Sequence, residues 1–197
     1  REDPETLIPL LAQSWEVLDD GTTYAFSLRR GIAFHEGGTL EAHDVAYSFW
    51  RGLLQDFEAG PMFMITAALL GVDHIDDLPG DDPARCQMVK DAITFDDEQA
   101  LVFFHLQAPY GPLPSLLASS YAAVLDQEWM AANGDWDGSC LTWRDWYNPA
   151  PEDSILYAQM NGTGPFQLES WVSGEVHLIR NPHYWRVEPV WPGGSSG

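Results

Sequence analysis

Residues 10–31 read LLAQSWEVLDDGTTYAFSLRRG and carry the clearest structural signal of the chain. The dipeptide Asp20-Gly21 separates two runs in which apolar residues alternate with polar ones, and this pattern favours a β-hairpin with a tight turn. The spacing therefore predicts one strand on each side of the turn. In the second strand we expect Phe26 and Leu28 to face a core, and the remaining side chains, Tyr24 included, to face water.

Downstream of this hairpin the apolar period changes to that of a helix. Val45, Phe49 and Leu53 recur at every fourth position, which predicts an amphipathic helix from Glu41 to about Gln55. Further along we expect a helix over 62–70, an irregular surface segment over 71–83, a second hairpin over 93–106, short helices over 113–118 and 126–133, an aromatic loop over 135–151, and a third hairpin over 164–180.

The composition sets limits on fold and partners. Hydrophobic residues make up 45% of the 197 residues, which is enough for a folded core. Nine lysines and arginines against 30 aspartates and glutamates give a net charge of −21, which repels nucleic acid and anionic lipid and leaves neutral, cationic or protein partners. The most apolar run, 62–70, is far shorter than the roughly 20 residues that cross a bilayer. The polar, acidic start predicts no signal peptide, as in a mature or excised segment.

Motifs for metal or nucleotide chemistry do not occur in the sequence. The six histidines form no HExxH, and neither GxGxxG nor GxxxxGK[ST] is found. Residues 133–138 imitate the first half of a calcium loop, but Arg144 stands where a bidentate glutamate is required. Adjacent acids such as Asp76-Asp77 are expected to be solvated turn formers rather than an acid/base pair. The sequence therefore predicts no catalytic residue, no cofactor and no metal.

Cys86 and Cys140 are the only cysteines of the chain. A disulfide between them would suit an exported protein, and closing a loop of this length would be worth roughly 4 kcal/mol. Two buried free thiols are an equally compatible interpretation of the sequence alone.

Five stretches, in order and in register, resemble the extracellular solute-binding proteins of family 5, the dipeptide and oligopeptide receptors of ABC importers. They are LLAQSWEVLDDG (10–21), YAFSLRRGIAFHEG (24–37), DVAYS (44–48), NGTGPFQLESW (161–171) and RNPHYW (180–185). The sequence departs from the family pattern at Gly38, which is an extra residue, at Glu36, which replaces an aspartate, and at Glu41, which takes a helix N-cap position usually held by threonine. Because glutamate caps a helix less well than threonine, we expect the helix start to be less firmly held.

The resemblance implies a mixed α/β (α+β) fold of the periplasmic-binding-protein type II kind. In this interpretation residues 1–157 form the small subdomain, residues 158–191 begin the first lobe, and residues 192–197 form a linker-like tail. The implied protein is extracytoplasmic, either periplasmic or lipid-anchored at the cell surface. It captures peptides between two lobes and delivers them to an ABC permease in the membrane without catalysis.

The same resemblance indicates where a ligand would bind. Met62 and Phe63 match the place where family receptors put a ligand-contacting aromatic residue, although both could simply pack the helix that they begin. The other candidates are Trp143 and Trp146, for which a core or lid role is the alternative, and Asn161, Thr163 and Gly164, for which a structural turn is the alternative.

Two other functions are compatible with the sequence. One is a receptor of the same fold for a non-peptide ligand such as a sugar oligomer, an opine or a metal chelate. The other is a hydrolase that uses carboxylates, which would require an acid that is buried and has a raised pKa.

Overall fold

The computed structural model describes residues 7–57 and 60–186. Its strands are β1 (Ala12–Leu18), β2 (Thr23–Leu28), β3 (Ile93–Asp96), β4 (Leu101–His105), β5 (Phe166–Val172) and β6 (Glu175–Arg180). Its α-helices are α1 (Ala42–Gln55), α2 (Phe63–Leu70), α3 (Asp82–Ala92), α4 (Leu113–Leu117) and α5 (Gln127–Ala132). Short 3₁₀ turns occupy Asp19–Gly21, Ile75–Asp77, Ser120–Ala122, Trp143–Trp146, Pro151–Asp153 and Ile155–Tyr157.

The four strands β1 to β4 form one antiparallel sheet in the order β1-β2-β4-β3. The predicted hairpins β1–β2 and β3–β4 are both confirmed. The expectation that Tyr24 faces water is wrong, because its side chain is buried and its hydroxyl donates to the Tyr110 carbonyl at 3.1 Å. Ala25 is buried as well. Tyr24 lies two residues before Phe26, so the alternation of side chains along a strand puts it on the same face of β2 as Phe26 and Leu28.

Helix α1 packs against β3 and β4 and confirms the helix predicted from the apolar period. Phe49 of α1 meets Phe104 of β4 edge-on, with ring centroids 5.0 Å apart, and the Trp50 indole N–H donates to the Ile93 carbonyl at 3.0 Å. The start of the helix is held by Asp44, whose carboxylate accepts the Glu41 backbone N–H at 2.9 Å.

The segment after α2 differs from the prediction of an irregular surface stretch over 71–83. Ile75 is fully buried, and helix α3, which the sequence analysis missed, begins inside the segment. The Asp81 side chain caps α3 by accepting the Ala84 N–H at 3.1 Å. Only one narrow face of α3 is apolar, with Val89 fully buried on it. A helix with so narrow an apolar face shows only a weak helical period of apolar residues in its sequence.

The remaining connections follow the prediction closely. Asp126 caps α5 by accepting the Trp129 N–H at 2.8 Å, and Gly134 follows the helix with a positive φ of 86°. The aromatic loop after α5 is not a surface feature, since Trp136 and Trp143 are both buried.

Strands β5 and β6 form a separate two-stranded sheet, which confirms the third predicted hairpin. All six residues of β6 are exposed. The tail expected over 192–197 lies outside the described residues. Within the described part of the chain, no helix combines the length and the apolar character that a membrane span requires.

Candidate ligand-binding surface

Met62 and Phe63 lie at the start of α2, and only one of them is open to a ligand. Met62 is half-buried, and its terminal methyl group sits where a side chain at Gly52 of α1 would be, only 2.9 Å from the position of a Cβ there. Phe63 is 48% exposed. Met62 therefore fixes α2 on α1, whereas Phe63 presents an aromatic face to the surroundings.

Trp143, Trp146 and Tyr147 occupy the aromatic loop and differ in their accessibility. Trp143 is 1% exposed, its indole N–H donates to the Asp82 carbonyl at 2.8 Å, and its ring meets that of Tyr147 edge-on. This places Trp143 in the core, one of its two alternative roles. Trp146 is half-buried and lines a cavity of about 360 Å³ together with Asp135.

Arg144 fastens this aromatic loop to the start of α3. Its guanidinium donates to both Asp82 oxygens, at 2.8 and 3.1 Å, and to Asp76 at 2.6 Å. The hydrogen bond from Arg144 holds the pKa of Asp76 below its usual range. The guanidinium also covers the ring of Trp143, with 4.5 Å between its central carbon and the ring centroid. The positive charge of Arg144 is thus paired with carboxylates of the protein itself.

Asn161, Thr163 and Gly164 precede β5 and join it to the body of the molecule. Asn161 is buried, with its side-chain oxygen accepting the Glu36 N–H at 2.9 Å and its amide donating to Asp126 at 3.1 Å. The Gly164 carbonyl accepts hydrogen bonds from the His35 ring and from the Asn181 amide, both at 2.9 Å. Thr163 is half-buried. The polar groups of Asn161 are thus engaged in holding the segment.

The seven candidate residues do not form one cluster. Met62 packs on the C-terminal half of α1, and the segment that carries the tryptophans also packs on α1, where the neighbouring Asn148 N–H donates to the Gln55 carbonyl at 2.7 Å. The Asn161 segment instead joins Asp126 beside the start of α1. A helix of 14 residues is about 20 Å long, so only an extended ligand would touch both groups.

A further cavity, which the sequence analysis did not predict, lies between the chain start and the sheet. It has a volume of about 300 Å³, its lining is apolar, and none of the seven candidates contributes to it. It is lined by residues 7–12, by Trp15, Phe26, Leu28, Val45, Phe49 and Phe104, and by residues of 114–124. The apolar run LIPLLA at 7–12 was the available sequence signal.

Cys86 and Cys140 form a disulfide in the structure. The bond links α3 to the loop between Trp136 and Trp143. The structure therefore agrees with the disulfide and not with the alternative of two buried free thiols.

The acidic residues considered for calcium or catalysis have structural partners. Asp135, within the calcium-like stretch 133–138, is buried and accepts two hydrogen bonds from the Arg51 guanidinium, at 2.7 and 2.8 Å. Asp137 accepts the Ser139 N–H at 2.9 Å. Asp96 accepts the Gln99 N–H, as expected of a turn former.

An antiparallel sheet backed by helices defines a fold of the mixed α/β class. The chain matches the family of bacterial extracellular solute-binding proteins, family 5 (the "family 5 Middle" profile), over residues 6–194, and it belongs to that family.

Sequence similarity to curated proteins supports the assignment to this family. The chain is 32% identical over 199 aligned positions to the peptide transport periplasmic protein SapA of Salmonella typhimurium, with 96% of this chain and 32% of SapA covered. It therefore spans about a third of the length of the curated relatives that it matches.

Solved structures confirm the expected fold class, a mixed α/β fold of the periplasmic-binding-protein type II kind. The periplasmic binding protein DppA of Helicobacter pylori, solved with the peptide STSA, superposes with a TM-score of 0.59 at 22% identity, covering 90% of this chain and 31% of DppA. The binding protein AgaA of A. tumefacien R10, solved with agropinic acid, gives 0.57 at 21% identity, covering 89% of this chain and 27% of AgaA.

Proposed function

We propose that this chain is part of an extracytoplasmic receptor that captures peptides and passes them to an ABC permease in the membrane. The observation that carries the proposal is the likeness to SapA, a protein named for peptide transport, along 96% of this chain. The family itself is one of extracellular solute-binding proteins. Such a receptor makes and breaks no covalent bond, because capture depends on closing two lobes around the solute.

We also propose that residues 1–157 form the small subdomain and that residues 158–191 begin the first lobe. This division is supported by the separation of β5–β6 from the four-stranded sheet. The exposed Phe63 and the half-buried Thr163 belong to the groups at opposite ends of α1, and an extended peptide, which rises about 3.3 Å per residue, would reach both. Six or seven residues would span the distance of about 20 Å.

Phe63 is the residue best placed to meet such a ligand. Its ring is half exposed, and aromatic side chains provide a large contact area that tolerates varied partners. Affinity in an extended peptide complex comes largely from main-chain hydrogen bonds, so side-chain pockets can remain permissive.

A receptor for an opine is the second candidate, because one structural neighbour was solved with agropinic acid. The hydrolase alternative depends on an acid that is buried and has a raised pKa. Burial does raise the pKa of Asp44 to about 6. However, both oxygens of Asp44 accept backbone N–H groups, from Glu41 and Gln127, each at 2.9 Å. This caps the helix and explains the burial without a catalytic role.

Calorimetric titration with short peptides and with agropinic acid tests the proposal. We expect the complete receptor to bind peptides, and Phe63→Ala to weaken binding by about tenfold or more. The control is Leu141→Ala, which removes an apolar side chain that is 86% exposed. Binding of agropinic acid but of no peptide would contradict the peptide proposal. The 197-residue chain alone should bind weakly or not at all, and sub-micromolar affinity would refute the idea that it holds half of the site.

A further inference from the structure

His43, in the first turn of α1, is held in a fixed orientation by a carboxylate from another element. Asp97, in the turn between β3 and β4, accepts the His43 backbone N–H at 2.9 Å and the ring Nδ1–H at 3.1 Å. Because a carboxylate can only accept, the Nδ1 atom carries the hydrogen. The other ring nitrogen, Nε2, then has a free lone pair in the neutral imidazole.

The Nε2 atom of His43 is buried and faces two further carboxylates. The Glu128 Oε1 atom of α5 lies 3.2 Å away but out of line for a hydrogen bond, and the Asp44 Oδ1 atom lies 3.7 Å away. Among residues 7–57 and 60–186, this nitrogen is the only buried side-chain polar atom that lacks a hydrogen-bond partner. A nitrogen lone pair this close to two anionic oxygens is unfavourable unless a positive charge lies among the three atoms.

We propose that His43, Asp44 and Glu128 form a binding site for a zinc ion. Their ligand atoms all lie within 4.8 Å of one another, the only such group in the described part of the chain. Zinc bonds of 2.0–2.1 Å in a tetrahedral site place neighbouring ligand atoms about 3.3 Å apart. The separations of 3.2 and 3.7 Å are close to that value. The Asp44 and Glu128 oxygens lie within 4.8 Å of each other, and the Glu128 side chain, 74% exposed, is free to move towards the ion. Water would complete the coordination.

The surroundings of the site favour a cation of charge two. Carboxylates reach the His43 ring from α1, from α5 and from the β3–β4 turn, and the ring of Phe95 covers it from β3 at a centroid distance of 6.1 Å. Three carboxylates against one imidazole leave an excess of negative charge. Asp97 acts as a positioning residue, since a carboxylate on the far nitrogen fixes the tautomer and raises the basicity of a metal-bound histidine.

A proton is the competing occupant of the Nε2 atom. Burial lowers the pKa of His43, but the charges of Asp44, Asp97 and Glu128 together raise it above the ordinary value. The cluster would then be an ion-pair network without a metal, and the experiment separates these outcomes.

The test is calorimetric titration of zinc chloride into the purified, chelator-stripped protein at pH 7.5. We expect binding at this site to weaken at least tenfold in Glu128→Gln, which changes an exposed side chain and leaves folding intact. The matched control is Glu16→Gln on β1, also exposed and remote from the cluster in the fold. Equal zinc affinity in both variants, or no zinc binding by the unmodified protein, would overturn the proposal and leave only the ion-pair network.

A second measurement uses cobalt as a spectroscopic probe of the same site. Cobalt bound by a histidine and two carboxylates should give a visible absorption spectrum that is lost in His43→Ala. Asp97→Asn should retain the spectrum but weaken affinity by 10–100-fold, as is typical when the partner of a metal-bound histidine is changed. A spectrum unchanged in His43→Ala would place the metal elsewhere and contradict the proposal.

Discussion

Arg51 carries a permanent positive charge beneath the surface of the molecule. Its side chain is 7% exposed, and the partner Asp135 is 1% exposed. The two groups form a pair of parallel hydrogen bonds at 2.7 and 2.8 Å, and a third contact joins Arg51 to the Ser154 hydroxyl at 3.4 Å. A charge that is buried in this way depends on its partner, because burial removes most of the hydration of both groups.

Replacing Asp135 by asparagine should therefore be strongly destabilising. We expect the free energy of unfolding to fall by about 3–5 kcal/mol, because the guanidinium of Arg51 stays buried without its counter-charge. Urea denaturation followed by tryptophan fluorescence measures this loss. The control is Asp145→Asn, which changes an exposed aspartate in the turn Trp143–Trp146. It should change the free energy of unfolding by less than about 0.5 kcal/mol. Similar losses in both variants would show that the ion pair is not the cause.

At the scale of single residues, the helix-cap prediction succeeded, one strand-face prediction failed, and one long-range cluster was missed. Asp126 was predicted as a helix cap from its position alone, and the structure has it in that role. Tyr24 was predicted to face water, and it is buried, because the period of two along a strand puts it on the same face of β2 as Phe26 and Leu28. The cluster of His43 with Glu128 gives no local pattern, because these residues are far apart along the chain.

At the scale of elements, the disulfide between Cys86 of α3 and Cys140 of the aromatic loop is a covalent cross-link. It joins positions separated by 54 residues. Cross-linking a loop of this length restricts the unfolded chain and is worth about 4 kcal/mol in the chain-entropy description.

Removing this link should lower stability without changing the fold. We expect the Cys86→Ala/Cys140→Ala variant to lose about 2–4 kcal/mol in urea denaturation. A reducing agent should produce a similar loss in the unmodified protein and none in the double variant. An unchanged midpoint for the reduced protein would contradict the expected contribution of the disulfide.

The elements themselves were predictable in proportion to the strength of their periodic pattern. Helix α1 was predicted because its apolar residues recur over several turns. Helix α3 was missed because Asp81, Asp82 and Pro83 were interpreted as turn formers, although the same residues suit the first turn of a helix. The structure has Asp81 as the cap and Pro83 inside that turn.

Across the whole molecule, stability should be unevenly distributed between the two sheets. Among the described residues, β5 and β6 pair only with each other, and a hairpin of two strands is marginally stable by itself. Strand β2, in contrast, pairs on both sides and is largely buried.

Hydrogen exchange of the 197-residue chain should reveal this difference. We expect the backbone amides of β5 and β6 to exchange at least about 100-fold faster than those of β2 and β4, because they open without unfolding the core. Mass spectrometry of peptic fragments, with unfolded chain as the reference, gives the comparison. Equal protection in both sheets would contradict this and would place the hairpin in the same cooperative unit as the core.

The fold and family could be recognised from the sequence because its characteristic segments are local and ordered along the chain. The candidate ligand residues were harder to assign, because a pattern does not state accessibility. Phe63 and Trp143 were both candidates for ligand contact, yet one is half exposed and the other is buried. The division at residue 157 stays a prediction.

Helix α1 is fixed at both of its ends, which limits how its length can vary. At its start Asp44 binds the Gln127 N–H, and past its end Asp56 accepts the Ile75 N–H at 3.0 Å. An inserted residue turns everything beyond it by about 100° and would break one attachment or the other. Insertions and deletions during evolution, and peptide tags or reporter domains added by an engineer, should therefore be accommodated at exposed turns such as the one at Gly111 and not within this helix.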